Sequence, residues 1–172
     1  TAQVNFQDCR IPKTNRVGAE GEGFKIAMAG LDGGRLNIGA CSIGAAQTCL
    51  ERTIAYMKDR KQFGRAIAEF QALQFRLVDM NMEVQDARSM AIWAANQANL
   101  QSGDALLRAA SMAKAKIGRA ATLVAEESIQ LHGGMGMTLD YGIGAYAKSL
   151  TTFNLLNGDV GYHTARVMRL AA

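Results

Sequence analysis

The sequence predicts an all-α fold, an up-and-down four-helix bundle, and three observations support this prediction. Apolar residues recur at alternating steps of three and four over long stretches, the spacing of a helix face that packs on other helices. No proline follows Pro12, so the strongest helix breaker is missing from most of the chain. Short groups of turn residues separate the periodic stretches, as in a bundle with short connections.

The beginning of the chain is predicted to be extended. Val4, Phe6 and Ile11 precede Pro12 and Gly18, a pattern that indicates extended chain running into turns. Helical periodicity takes over after the glycines at positions 21 and 23.

The periodic stretches predict helices at about residues 32–59, 68–101, 105–131, 143–156 and 162–170. The clearest seam is that of the second helix: Phe70, Leu73, Leu77, Met80, Val84, Ala87, Ala91 and Ala94. Phe75, Val78 and Met82 add apolar area off this seam, which predicts a second partner and therefore self-association into dimers or tetramers. Glycines after His132 predict the end of the third helix and a turn.

Composition excludes several classes of protein. Lys and Arg exceed Asp and Glu by 19 to 15, and the basic residues are scattered, as on solvated helix faces, so nucleic acid is not an expected partner. Cys9, Cys41 and Cys49 have no metal-site spacing, and their odd number suits reduced thiols in the cytoplasm or, in a eukaryote, the mitochondrial matrix. No apolar stretch is long enough to predict a membrane span.

The sequence contains no complete catalytic constellation of its own. A di-iron bundle needs Glu-x-x-His motifs, but neither His132 nor His163 has a Glu three residues earlier, and no metal site is expected. A P-loop and a Gly-x-Ser-x-Gly motif are also missing. The glycine run at 133–136 follows a predicted helix and is therefore not a dinucleotide fingerprint.

Several motifs occur in a fixed order. They are Asp8-Cys9-Arg10-Ile11-Pro12, Glu20-Gly21-Glu22-Gly23-Phe24, Gly30-Leu31-Asp32-Gly33-Gly34-Arg35, Asp59-Arg60-Lys61-Gln62-Phe63-Gly64, Phe70-Gln71, Ile129-Gln130-Leu131-His132-Gly133-Gly134-Met135-Gly136 and Asp140-Tyr141. In this order and spacing they resemble the acyl-CoA dehydrogenase family over almost the whole chain.

The resemblance implies a domain organisation. The family has an N-terminal helical domain, a middle β-domain that holds much of the flavin ring, and a C-terminal four-helix bundle. Residues 1–21 would be the end of the middle β-domain and a linker, and residues 22–172 the C-terminal bundle. The chain would then be either incomplete relative to the family or an isolated domain.

The resemblance also implies FAD as the cofactor. Arg60 would face the pyrophosphate, Gln62 and Phe63 the adenosine side, and Gln71 would hydrogen-bond the same cofactor. Gln130, Gly133 and Gly134 would reach the FAD of a neighbouring subunit. Taken without the motif, Arg60 is more typical of a solvated helix end, and the two glycines fit a plain helix stop, which is compatible with the cofactor role.

On the substrate side, the resemblance implies an acyl-CoA site with Asp32, Arg35 and Gly158, and an electron-transfer partner for the reduced flavin. The alternative for Asp32 and Arg35 is a helix N-cap and a surface cation. The family's reaction removes a proton α to a thioester while a hydride leaves the β carbon, and the proton needs a carboxylate base.

Both positions at which the family places that base lack a carboxylate here. Counting from Gln130, the usual glutamate is replaced by Asn157, and the other known position is Gly34. Asp159 is a nearby carboxylate, but it would have to reach back by two positions. The chain end also resembles small subunits of pimeloyl-CoA dehydrogenase-like heteromers.

Two functions therefore stay open: a catalytic acyl-CoA dehydrogenase, and a non-catalytic structural or flavin-contacting subunit of a heteromeric one. A free-standing helical interaction module is disfavoured, because the cofactor motifs would then have no reason to occur together.

Overall fold

The computed structural model describes residues 2–171, apart from the side chain of Asp32. Five helices follow one another: α1 (Gly23–Asp59), α2 (Gln71–Leu100), α3 (Gly103–His132), α4 (Ile143–Leu155) and α5 (Val160–Arg169). The two-residue strands β1 (Lys61–Gln62) and β2 (Arg65–Ala66) form an antiparallel hairpin between α1 and α2. The predicted all-α fold is confirmed. No helix of the described residues is long and apolar enough to cross a membrane.

Contacts between the helices give an up-down-up-down arrangement of α1 to α4. Arg76 pairs with Glu127, and Lys116 Nζ lies 3.0 Å from Glu83 Oε2, so early α2 meets late α3 and the two helices are antiparallel. Tyr56 stacks on His132, the last residue of α3, so the carboxyl ends of α1 and α3 lie together. Lys114 bonds to α4 at its carboxyl end, whereas residues 144–148 of α4 share a pocket with Ile129 of α3, which makes α3 and α4 antiparallel.

The centre of the bundle is α3, which packs against α1, α2, α4 and α5. Its buried side chains are mostly small, with alanine prominent among them. Small residues allow close approach: a Cβ at Gly39 would lie 2.9 Å from Ile117, and one at Gly118 would lie 2.8 Å from Asn154. The core of the domain is therefore arranged around one alanine-rich helix.

The second predicted seam is only partly buried. Met80, Val84, Ala87 and Ala94 are buried, whereas Leu73, Leu77 and Ala91 are partly exposed at its flanks. The off-seam residues Phe75, Val78 and Met82 are 59%, 52% and 59% exposed, respectively. This second apolar stripe leaves α2 with a face that its own bundle does not cover.

Two predicted helix starts were wrong. The first helix begins at Gly23 rather than near residue 32, because glycines at 30, 33 and 34 lower helix propensity without removing a backbone hydrogen bond. The second begins at Gln71 rather than Ala68, since Ile67–Glu69 forms a 3-10 turn in which the Glu69 carboxylate accepts a bond from Ala66 N. All other predicted helix ends lie within two residues of the structure.

Residues 2–22 form no strand within the described chain; one 3-10 turn, Lys13–Asn15, interrupts an irregular path. Val4, Phe6 and Ile11 are at least 70% exposed, so the bundle leaves these three side chains largely uncovered. Its assignment to a preceding β-domain stays a prediction.

Candidate cofactor and substrate site

A pocket of about 470 Å³ lies where α1 and α3 end side by side. We call it the helix-end pocket. Its lining from the α1 side and from the α3 side includes the residues Tyr56, Arg60, Gln62, Gln130, His132, Gly133 and Gly134. The fold thus brings together five of the predicted cofactor residues that are some 70 positions apart in the sequence.

Stacked aromatic rings fix the floor of the helix-end pocket. His132 is 2% exposed, its ring lies 4.4 Å from the Tyr56 ring, and Tyr56 Oη donates to the His132 carbonyl at 3.2 Å. His132 Nδ1 lies 2.7 Å from the Ser128 carbonyl oxygen. Because a carbonyl oxygen can only accept a hydrogen bond, Nδ1 carries the proton. Burial lowers the pKa of His132 and favours the neutral ring, so the positive charge of the pocket comes from Arg60.

Two glycines leave backbone open at the pocket wall. Gly133 ends α3 at φ 59° and ψ −139°, a conformation that is essentially restricted to glycine. A Cβ at either Gly133 or Gly134 would meet nothing within 4 Å. Arg60 follows the last residue of α1, and its side chain is exposed. A forked cation, two amides and bare backbone suit the oxygens of a phosphate-bearing ligand.

The β1–β2 hairpin carries Phe63 beside this pocket but not in its lining. Phe63 and Gly64 have φ values of 54° and 82°, the paired positive angles of a type I′ turn. Phe63 is 91% exposed, and Gln71, the first residue of α2, is exposed as well. Sequence patterns do not predict this hairpin, because its turn lacks the usual Asn-Gly or Asp-Gly signal.

Gly136→Ala should destabilise the turn that follows α3. A Cβ at Gly136 would lie 2.5 Å from the Ile129 carbonyl oxygen, a backbone atom that cannot move aside alone. We expect a loss of about 1–3 kcal/mol in the free energy of unfolding, measured by urea denaturation. Gly134→Ala is the matched control, since its Cβ meets nothing; equal losses for both variants would contradict the steric explanation.

The turn between α4 and α5, residues 156–159, is the second candidate region, and we call it the 157 turn. Asn157 and Gly158 both have positive φ, 59° and 98°. The Asn157 carbonyl accepts bonds from Arg35 Nε at 3.3 Å and from His163 Nε2 at 2.9 Å. Arg35, Asn157 and Gly158 are thus brought together, whereas the side chain of Asp32 lies outside the described residues.

Lys114, which is not among the predicted site residues, contacts the same turn from α3. It is 1% exposed, and its Nζ donates to the carbonyls of Phe153, Asn154 and Gly158 at 3.0, 3.3 and 2.8 Å. Burial lowers the pKa of Lys114 to about 8 against the opposing effect of Asp159, so the amine is still mostly charged at neutral pH. The signal in the sequence was a lysine on the apolar face of α3, between Ala110 and Ile117.

Two further positions bear on the catalytic base: Asp159 caps a helix, and Gly34 has open space around it. Asp159 is the N-cap of α5, and its Oδ1 accepts a bond from Tyr162 N at 2.7 Å. This capping bond occupies one carboxylate oxygen; a role for Asp159 as a base stays a prediction. A Cβ at Gly34 would meet nothing within 4 Å, so the position has room for a side chain.

A smaller pocket of about 220 Å³, the α1–α4 groove, leads up to the 157 turn. Its lining consists of Ile38, Cys41 and Ser42 from α1 and Ser149, Thr152, Phe153 and Leu156 from α4 and its end. A larger pocket of about 600 Å³ lies between residues 136–142 and α4, and none of the predicted site residues lines it. The groove, and not the larger pocket, thus reaches the 157 turn, through Leu156.

Comparison with known proteins identifies the class of protein. The family model described as "Acyl-CoA dehydrogenase, C-terminal domain" matches residues 21–171. The chain belongs to the acyl-CoA dehydrogenase family, and the part that it contains is the C-terminal domain.

Individual relatives agree with this assignment. The chain is 39% identical over 159 residues to mitochondrial isobutyryl-CoA dehydrogenase of Bos taurus, covering 92% of this chain and 38% of the relative. It is 38% identical over 170 residues to a probable acyl-CoA dehydrogenase of Bacillus subtilis, covering 99% and 43%. The chain thus spans about two fifths of the length of the curated relatives that it matches.

Solved structures share the fold. Butyryl-CoA dehydrogenase from Megasphaera elsdenii superposes with a TM-score of 0.86 at 31% identity, covering 96% of this chain and 43% of that one. PigA, solved with FAD and proline, superposes with a TM-score of 0.83 at 26% identity, covering 95% and 42%.

Proposed function

We propose that this domain works within an FAD-dependent protein of the acyl-CoA dehydrogenase type, which acts on an acyl-CoA thioester. The observation that carries the proposal is the helix-end pocket, in which Arg60 and Gln62 meet Gln130, Gly133 and Gly134. The similarity to isobutyryl-CoA and butyryl-CoA dehydrogenases supports an acyl-CoA as substrate and a location in the cytoplasm or the mitochondrial matrix as parts of this proposal.

The residues of the helix-end pocket fit part of FAD. Arg60 would bind the pyrophosphate, and the backbone at Gly133 and Gly134 is open to close approach by a ligand. Gln62 and Gln130 would supply amides that donate and accept hydrogen bonds. When bound, FAD supplies the hydride acceptor for the β carbon. Because both sequence segments line one pocket, a cofactor that arrives from a neighbouring subunit would meet them together.

Arg60→Ala should weaken FAD binding to the full-length protein. Loss of a charge-assisted hydrogen bond costs about 1.5–3 kcal/mol, which corresponds to roughly 10–150-fold in the dissociation constant. Flavin fluorescence titration of the apoprotein measures the change. Lys61→Ala removes a neighbouring exposed cation that does not line the pocket, and it should leave the affinity unchanged. Equal affinities for Arg60→Ala and wild type would make Arg60 a surface cation.

On the substrate side, we propose that the α1–α4 groove and the 157 turn face the acyl-CoA. Arg35 holds the backbone of the turn through the Asn157 carbonyl, and the side chain of Asn157 is exposed. An amide there can hydrogen-bond a thioester but cannot accept the α proton near neutral pH. In this proposal Arg35 and Asn157 account for binding and orientation, and the base is either Asp159 or a group outside this turn.

The second candidate function is a supporting subunit of a heteromeric acyl-CoA dehydrogenase. It is favoured by the residues at positions 34 and 157, a glycine and an asparagine, neither of which carries a carboxylate, and by the capping bond that occupies one oxygen of Asp159. In that case a partner chain supplies the base. The exposed stripe of Phe75, Val78 and Met82 on α2 offers apolar surface for assembly as a dimer or tetramer.

One preparation separates the two functions. The full-length protein is purified with its natural partners, bound flavin is quantified, and reduction by candidate acyl-CoAs is followed by flavin absorbance; light scattering gives the oligomeric state. Flavin reduction by the chain alone would establish a catalytic subunit. Reduction only in the presence of a second protein would establish the supporting role, and the absence of flavin from every preparation would refute FAD binding.

A further inference from the structure

Donors from three helices converge on the backbone around the 157 turn. Arg35 of α1 and His163 of α5 both donate to the carbonyl of Asn157. Lys114 of α3 donates to the carbonyl of Gly158 and to two carbonyls at the end of α4. The turn thus receives hydrogen bonds from the three helices that surround it.

Burying the Lys114 ammonium group costs free energy, which its hydrogen bonds to this turn offset. Removing an ammonium group from water is unfavourable, and within the described residues Lys114 forms no ion pair with a carboxylate. A methionine would fill the same volume without that cost. The ammonium does what a methionine cannot: it donates to carbonyls of the last turn of α4, which have no donor within the helix, and it lies at the negative end of the helix dipole.

The turn itself requires such support. Asn157 adopts a left-handed conformation, and Gly158 has a φ that only glycine adopts readily. A Cβ at Gly158 would lie 2.5 Å from the Tyr162 ring and 2.9 Å from His163 Nε2, so α5 packs directly against this backbone. Three donors and one steric contact therefore define a single path for residues 156–159.

We propose that Lys114 is a positioning residue: its ammonium group holds the end of α4 and Gly158, and so sets where the side chain of residue 157 meets the acyl-CoA. The inference rests on the proposed function for the acyl-CoA, but the geometry of the turn is independent of it. Lys114 acts through backbone carbonyls and touches no substrate.

Hydrogen exchange of the full-length protein tests the local part of this proposal. In Lys114→Met, the amides of Leu156, Tyr162 and His163 should exchange about 10–100-fold faster, as expected on loss of a charge-assisted bond. Exchange in α1 and α2 should stay as in the wild type. Lys114→Arg keeps a cation with several donors and should restore most of the protection.

Lys116→Met is the matched control. Lys116 lies two residues further along α3 and pairs with Glu83 and Asp86 of α2, so its loss should not affect the 157 turn. Unchanged exchange at the turn in Lys114→Met would overturn the proposal. Failure of that variant to fold, or equal acceleration throughout the bundle, would overturn it too, because Lys114 would then support the whole domain.

Catalysis gives the second readout. In an Asn157→Glu background that oxidises butyryl-CoA, adding Lys114→Met should lower kcat about 10–100-fold while KM changes less than about twofold, since a displaced base loses alignment without losing substrate. An unchanged kcat would refute the positioning role. If Asn157→Glu is inert although the exchange result holds, Lys114 holds the turn and the proposed catalytic function fails separately.

Discussion

Asn157→Glu in the full-length protein should create or raise acyl-CoA dehydrogenase activity. The spacing from Gln130 and Asp140 predicts that residue 157 stands at the position of the family's base, and well-placed proton transfer typically contributes about 10²–10⁴-fold. The side chain is exposed, so a glutamate fits without repacking. Because residue 157 has a φ of 59°, which asparagine tolerates better than glutamate, we also expect a loss of about 1 kcal/mol in stability.

Asn157→Gln is the matched control for this experiment. Glutamine has the length and the backbone strain of glutamate but no basic oxygen near neutral pH. Steady-state reduction of an artificial electron acceptor by acyl-CoA measures both variants. If the two are equally inactive while flavin and acyl-CoA bind, residue 157 is not positioned to serve as a base. If Asp159→Asn abolishes an existing activity, the base is Asp159.

Val84→Asp should lower the free energy of unfolding of the bundle more than any surface substitution does. Val84 is completely buried and faces Ile117 and Ala120 of α3 across the helix interface. A carboxyl group there is either charged without water or neutral with unpaired oxygens, which costs about 3–5 kcal/mol. Urea denaturation followed by circular dichroism measures the difference from the wild type.

Gln85→Asp introduces the same carboxylate one residue further along α2, on the exposed side. Surface changes of this kind are usually within about 0.5 kcal/mol. A midpoint for Val84→Asp equal to that of Gln85→Asp would mean that the 84 side chain does not face the core, and the arrangement of α2 against α3 would be wrong.

Much of the fold could be predicted from the sequence because burial imposes a period on it. Met80, Val84 and Ala87 lie on the predicted seam and are buried, because residues that pack in the core recur at the three- and four-residue spacing that is visible in the sequence. The start of α1 was missed because residues 23–31 carry glycines and little periodicity. Propensity alone is a weak signal, and only the structure shows that the helix continues through them.

The candidate site could be predicted only through motifs. The segments around Arg60 and Gln130 were recognised by resemblance, but nothing in local sequence says that they share a pocket, because that proximity depends on the parallel ends of α1 and α3. Lys114 was missed for a similar reason. A lysine amid alanines is usually a solvated residue, and its partners are backbone carbonyls of another helix, which leave no trace in side-chain patterns.

The central position of α3 has a consequence for how the protein is made. During synthesis, α1 and α2 leave the ribosomal exit tunnel before α3 (Gly103–His132) does. Until α3 emerges, the apolar faces of α1 and α2 that pack against it stay exposed. At a synthesis rate of about 5–20 residues per second, this exposure lasts on the order of seconds. A nascent chain that has left the tunnel only as far as residues 100–132 therefore exposes apolar helix faces that a chaperone would bind.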